Sequence, residues 1–108
     1  MRIEEYLKLK KKVFEKCCDL SVRKGHDYSG MEDTLANLKA ARILGVKPEQ
    51  GVLVRLLDKI MRLKNFVERG ELQVSDETVF DTVADAHNYL DLLLALIVEE
   101  REEESFGR

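Results

Sequence analysis

Apolar residues recur at intervals of three and four along most of this chain. In the first segment, about Ile3 to Lys24, they fall at Ile3, Tyr6, Leu7, Val13, Phe14, Cys17 and Leu20, with Leu9 and Lys10 as an interruption. That spacing predicts an amphipathic helix. A polar loop, GHDYSGMED, follows it. A short helix is expected over roughly Asp33 to Leu44, with Leu35, Leu38, Ala41 and Ile43 or Leu44 inward. A third segment, about Pro48 to Arg69, opens on a proline and an acid, as helices commonly do. Its expected inner face is Leu53, Leu56, Leu57, Ile60, Leu63 and Val67. A last helix is expected over about Asp76 to Glu104, capped by Ser75 or Asp76. Gly25, Gly45 and Gly70 each follow a helical stretch and mark its expected end.

The pattern therefore predicts an all-α bundle of three long helices and one short one, with no strand and no internal repeat. With 108 residues the chain makes a single domain, 1–108, with a modest core and a charged tail over 99–108 expected to fray. One segment asks for more than a lone bundle supplies. The last helix reads LLLALIV from Leu92 to Val98. A helix apolar all round must be covered all round. A homodimer or larger homo-oligomer is the simplest cover.

Composition narrows the function. The chain carries 18 Lys and Arg against 21 Asp and Glu, a net charge of −3. This argues against a nucleic-acid module held by phosphate contacts; the basic run KLKKK reads as a wet helix face. Cys17 and Cys18 are adjacent and have no metal-type spacing. They read as reduced thiols, which suits a cytoplasmic setting. The N-terminal MRIEEYLKLKKK lacks the apolar run of a signal peptide, and LLLALIV is too short for a membrane span.

The candidate chemistry lies in DETVFDTVADAHNYLDLL, residues 76–93. Glu77, Asp81 and Asp85 are spaced four apart, with Asn88 three further on. On one helix they form a column of like charges, which is destabilising unless something neutralises it. Neighbouring members lie about 6 Å apart along the axis, a span that one divalent ion can bridge. Mg²⁺, held by one or two carboxylates plus substrate phosphates, fits that need. The preceding helix offers Asp58, Arg62 and Asn65 on one face, with Lys59 beside them. Acids on one wall and bases on the other suit a metal–polyphosphate ligand. The plain alternative is a solvated face: Asp58 and Arg62 as an i,i+4 pair, and Glu77 and Asp81 as acids near a helix N-terminus.

The loop RKGHDYSG is a second candidate, with Lys24, His26, Asp27 and Tyr28 dense in polar groups. A capped turn with Tyr28 as a lid explains it equally well. His26 is a weak signal by itself. His87 lies off the acid stripe and reads as a packed or interfacial histidine. No P-loop, dinucleotide fingerprint or Ser–His–Asp set is present.

Taken together, KGHDYSG, RLLDKIMRLKNF and DETVFDTVADAHNYLDLL resemble the nucleotide modification associated domain 1 family of phages and prokaryotes, a relative of the all-α, MazG-like nucleoside triphosphate pyrophosphatases. The similarity runs from Lys24 to about Leu94. The family's K-x-x-D-Y falls on Lys24, Asp27 and Tyr28. Its D-K-x-x-R-L falls on Asp58, Lys59, Arg62 and Leu63. Its D-x-x-x-D-x-x-N-Y falls on Asp81, Asp85, Asn88 and Tyr89. The wider MazG-like pattern of E-x-x-E and E-x-x-D is incomplete. Thr82 stands where an acid is expected before Asp85, and Lys59 and Arg62 stand where glutamates are expected beside Asp58.

The resemblance implies a Mg²⁺- or Mn²⁺-dependent hydrolase that cleaves a nucleoside triphosphate between its α- and β-phosphates. Glu77, Asp81, Asp85 and Asp58 are then the metal ligands, with Glu77 a candidate base. Lys24, Lys59 and Arg62 face the phosphates, and Asp27, Tyr28 and Asn88 complete the substrate site. The competing expectation is a helical oligomerisation or interaction protein without turnover, its acids solvated and its LLLALIV segment covered by a partner.

Overall fold

The structure is a computed structural model that describes residues 1–29, 33, 35–71 and 78–106; over 24–29 and 103–106 it describes the backbone only. The fold is an all-α bundle, as the periodicity predicts. It comprises α1 (Ile3–Ser29), α2 (Ala36–Lys39) continued by a 3-10 turn (Ala40–Leu44), α3 (Pro48–Arg69) and α4 (Val79–Phe106). No strand occurs among the described residues.

Local signals explain most boundaries. Pro48 opens α3, where its missing N–H costs nothing. Gln50 Oε1 reaches back to accept the Lys47 N–H at 3.1 Å, half of a capping box. The helix stops at Gly70, whose φ of 78° is left-handed and whose N–H closes on the Phe66 carbonyl at 2.7 Å. Gly45 ends the 3-10 turn in the same conformation, at φ 75°. Thr78 caps α4; the expected caps Ser75 and Asp76 lie outside the described residues.

Gly25 does not end its helix, contrary to expectation: α1 runs on to Ser29. One glycine inside a helix costs about 1 kcal/mol against alanine, too little to stop a long one. The expected short helix is split in two. Asp33 Oδ1 accepts the Leu35 N–H at 2.9 Å, and Leu35 and Leu38 are buried as expected. Beyond Lys39 the chain tightens to three residues per turn, which moves the later apolar positions off the inner face. Ile43 and Leu44 are consequently exposed.

α3 and α4 pack antiparallel, with Val52 and Leu96 in one core cluster and Lys59 paired to Asp85 further along. α1 lies parallel to α4 along one flank, touching it through Lys16–Asp81, Cys17–Ala84 and Ser21–Asn88. Leu35 and Leu38 of α2 close the end of the core near Val52 and Leu96. The inward stripe of α3 is Val52, Leu56, Lys59 and Leu63; that of α4 is Thr82, Asp85, Tyr89, Leu92 and Leu96.

The α3 stripe corrects the sequence reading. Leu53, Leu57 and Ile60 are about half exposed and Val67 is 83% exposed, although all four were expected inward. The inner face keeps Leu56 and Leu63, as expected, but is displaced from Leu53, Leu57 and Ile60 toward Val52 and Lys59. The reason is Lys59, whose ion pair with Asp85 occupies an inward position that an apolar pattern assigns elsewhere. Likewise the first half of α1 leaves Ile3, Tyr6, Leu7 and Phe14 exposed, while Cys17 is buried.

Candidate functional site

Two residues of the acid column enter the structure in different ways. Asp81 is the third residue of α4, and its carboxylate is committed to the cap. Its Oδ2 accepts the Thr78 N–H at 3.1 Å and the Thr78 hydroxyl at 2.9 Å. The Thr78 Oγ1 in turn accepts the Asp81 N–H at 3.1 Å. This reciprocal arrangement is a capping box with aspartate in place of glutamate. The Thr78 backbone N–H, and then its hydroxyl, hold the Asp81 carboxyl below its ordinary range. The other oxygen, Oδ1, faces Lys16 of α1 at 3.5 Å.

Asp85 sits one turn deeper and is 8% exposed. Its Oδ2 lies 3.2 Å from Lys59 Nζ across the α3–α4 interface. An isolated buried carboxylate is costly, so this pairing is what makes the position tenable. Thr82, in the place where the MazG-like pattern expects an acid, is fully buried. Its hydroxyl donates to the Thr78 carbonyl at 3.2 Å, which removes the penalty of burying it.

Asn88 completes the group. It is 7% exposed, and its Oδ1 accepts the Ser21 hydroxyl of α1 at 3.1 Å. Its Nδ2 is buried without a hydrogen-bond partner among the described residues. Turning the amide over only exchanges the roles, because a hydroxyl can donate or accept; one end still lacks a partner. Buried polar atoms are nearly always satisfied, so an orphan of this kind asks for an explanation.

Around this centre, Asp58 of α3 is mostly exposed and pairs with Arg62 at 3.2 Å, as their i,i+4 spacing predicts. Cys17 donates its thiol to the Ala84 carbonyl at 3.4 Å. Burial, followed by the negative charges of Asp91, Cys18 and Asp85, pushes that thiol up. Tyr89 is half-buried against the core, and His87 is exposed on the single chain.

The structure thus brings together Asp85, Lys59 and Asn88 at the junction of α1, α3 and α4, with Asp81 one turn away. Asp58 and Arg62 occupy the same helix as Lys59. Lys24, Asp27 and Tyr28 belong to the last turns of α1, not to a loop, and their side chains, like that of His26, lie outside the described residues. Glu77 also lies outside them. Sequence reasoning missed Lys16 and Ser21, and marked Thr82 only as a departure from the MazG-like pattern. The i,i+4 step from Cys17 to Ser21 on the inner face of α1 was the available signal for Ser21; nothing in the pattern marks Lys16.

Compared with known proteins, the chain matches no family model, no curated protein and no solved structure.

Among the described residues no three His, Cys, Asp or Glu side chains converge as a metal-binding group. Among the described residues Asp85 offers the one buried carboxylate, and it already has an ammonium partner. That donor set does not build a closed protein cage. It does suit a hard cation that arrives with phosphates, because Mg²⁺ keeps several waters and commonly takes only one or two carboxylates. Lys59, Arg62 and the Asn88 amide add N–H donors of the kind phosphate oxygens accept.

Proposed function

We propose that this protein binds a nucleoside triphosphate or a related nucleotide together with Mg²⁺ or Mn²⁺, and hydrolyses it between the α- and β-phosphates. The observation that carries the reading is the buried Lys59–Asp85 pair beside the orphaned Asn88 amide. A structural ion pair alone does not call for an unsatisfied amide next to it. A buried polar atom left without a partner asks for an explanation, and a bound ligand supplies one.

In this reading Asp85 would hold the cation together with the phosphates and waters; the resemblance adds Asp81, Asp58 and Glu77, although among the described residues no three acids converge. A cation held there would polarise the phosphates and acidify a water. Lys59, Arg62 and Lys24 balance the polyphosphate charge, and the Asn88 amide, Asp27 and Tyr28 orient ribose or base. Glu77 takes the proton of the attacking water. The reaction class and the roles of the undescribed side chains follow from the resemblance set out above.

The test is a panel of nucleoside triphosphates assayed for pyrophosphate release with Mg²⁺ and with Mn²⁺. The same nucleotides are followed by thermal denaturation, since a ligand bound only by the native state raises its stability. Expected are metal-dependent release and a metal-dependent thermal shift, both lost in Asp85→Asn with helicity retained. A full panel without shift or release sinks the proposal.

A second reading, a helical interaction protein without turnover, is favoured by the exposed apolar residues of α3 and α4. It predicts no nucleotide shift in any metal.

A further inference from the structure

Charge is divided unevenly along the chain. Residues 1–16 carry six Lys and Arg against three Glu, while the remainder carries 12 against 18. The excess is concentrated in YLKLKKKVF, residues 6–14, which interleaves four lysines with five apolar side chains and has no acid. The fold leaves this segment uncovered. Lys16 stands beside Asp81, the third residue of α4. Because α1 runs parallel to α4, the turns before Lys16 project past the start of α4, and Ile3 lies about 20 Å further out. Every residue from 1 to 12 is exposed.

Two observations separate this overhang from a plain solvated helix. First, its lysines are not neutralised within the described chain. On α3, Asp58–Arg62 and Lys64–Glu68 form i,i+4 pairs. Glu4–Lys8 and Lys11–Glu15 have the same spacing on α1, yet among the described residues Lys8, Lys10, Lys11 and Lys12 make no ion pair. Lys10 lies over the Tyr6 ring instead, 5.9 Å from its centroid. Second, one flank carries an apolar row. Ile3, Leu7 and Phe14 fall within about 40° of one another around the helix, and each is more than half exposed. The row is turned roughly 90° from Val13, Cys17 and Leu20, the face that α1 gives to the bundle. A flat surface can therefore meet the row without striking α4. Lys10 and Lys11 stand on either side of it.

We infer that α1 docks on an anionic phospholipid surface, with Ile3, Leu7 and Phe14 entering the acyl boundary and Lys10 and Lys11 on the headgroups. Apolar side chains flanked by lysines are what hold an amphipathic helix in the plane of an anionic bilayer. Tyr6, at the edge of the row, supplies an aromatic ring with a polar end, which favours headgroup depth. The lysine stems lie over apolar surface while their ammonium groups reach the headgroups. The helix lies on the membrane; among the described residues no helix is long and apolar enough to cross one. A nucleic acid would use the four lysines but leave Ile3, Leu7 and Phe14 in water. The contact involves none of Lys59, Asp85 and Asn88, so it stands whether or not the chain binds nucleotides.

Flotation of the full chain with lipid vesicles tests the contact. Expected is binding to phosphatidylcholine vesicles that contain one-third phosphatidylserine, and at least tenfold weaker binding to phosphatidylcholine alone. Raising the salt from about 0.1 M to about 1 M shortens the Debye length from about 10 Å to about 3 Å and is expected to release most of the protein. K10Q/K11Q and L7A/F14A are each expected to weaken binding at least tenfold. Both keep their helical circular dichroism, since the side chains are exposed and the new residues favour helix. Leu57→Ala, at an exposed leucine of α3, is expected to bind as the wild type does. A chain that does not float with the anionic vesicles at low salt overturns the inference. So does full binding by L7A/F14A, which would make the contact one of charge alone. Tighter binding to a double-stranded DNA oligonucleotide, weakened by K10Q/K11Q and not by L7A/F14A, overturns it as well.

Discussion

Lys59 Nζ stands 3.2 Å from Asp85 Oδ2, with each side chain only 12% exposed, so one ion pair bridges the two longest-packed helices of the fold. Burying two charges is expensive, and removing one partner is worse than removing both. Lys59→Met is therefore expected to lower stability by about 3–5 kcal/mol. K59M/D85L, which removes both charges, recovers most of that loss. Urea unfolding of the four members of the cycle measures it. A single substitution that unfolds at the wild-type midpoint would show the pair to be solvated.

The Thr78–Asp81 box makes a pH-dependent contribution. The carboxyl of Asp81 sits below its ordinary range in the folded chain, so its contribution is fully present above about pH 4 and is lost as pH falls through the lower folded value. Thr78→Ala removes the hydroxyl that both donates and accepts, at a cost of about 1 kcal/mol. The gap between the thermal melts of the two proteins is expected to narrow from neutral pH to pH 3, leaving the part due to the Asp81 N–H bond to the Thr78 hydroxyl. Parallel curves would mean that Asp81 titrates independently of the cap.

Asn88 offers a trade between stability and binding. Leucine has a similar shape and removes the orphaned amide, so Asn88→Leu is expected to hold or raise stability, by up to about 1 kcal/mol, despite the lost Ser21 bond. The same substitution is expected to weaken nucleotide binding by roughly tenfold, the worth of one good hydrogen bond. Chemical denaturation and calorimetric titration give the two numbers. A variant both less stable and equally tight would deny the amide any role in ligand contact.

The adjacent thiols are expected to react at different rates. Cys18 is exposed, whereas Cys17 is buried, bonded to the Ala84 carbonyl and pushed up by burial and by nearby negative charge. Since the thiolate is the reactive form, Cys18 should alkylate well before Cys17 at pH 8. Peptide mass spectrometry after timed alkylation distinguishes them. Equal rates would place α1 away from α4 in solution.

Helix number and order were legible in the apolar spacing, and α3 matched its expected bounds because proline and glycine punctuate both ends. The inner face of α3 was not legible. Periodicity ranks positions by apolarity, and Lys59 enters the interface only because Asp85 stands opposite it, a relation between helices that no single stretch records. The reach of α1 past Gly25 was missed for a similar reason: local propensity gave a stop signal weaker than the helix it had to end. At the candidate site, the column Asp81–Asp85–Asn88 was visible as a face, but not its division of labour. Asp81 serves the cap, and Asp85 and Asn88 enter the interior. That division depends on where α4 begins, and a shift of two or three residues at a helix start decides which acid becomes the cap.

The separation of the α1 overhang from the α1–α3–α4 junction has an evolutionary consequence. Changes at Asp58, Arg62 or Asn88 and changes at Ile3, Leu7 or Phe14 fall on surfaces that do not touch each other. Selection can retune what one surface recognises while the other drifts, so descendants of this chain are free to diversify along two independent axes.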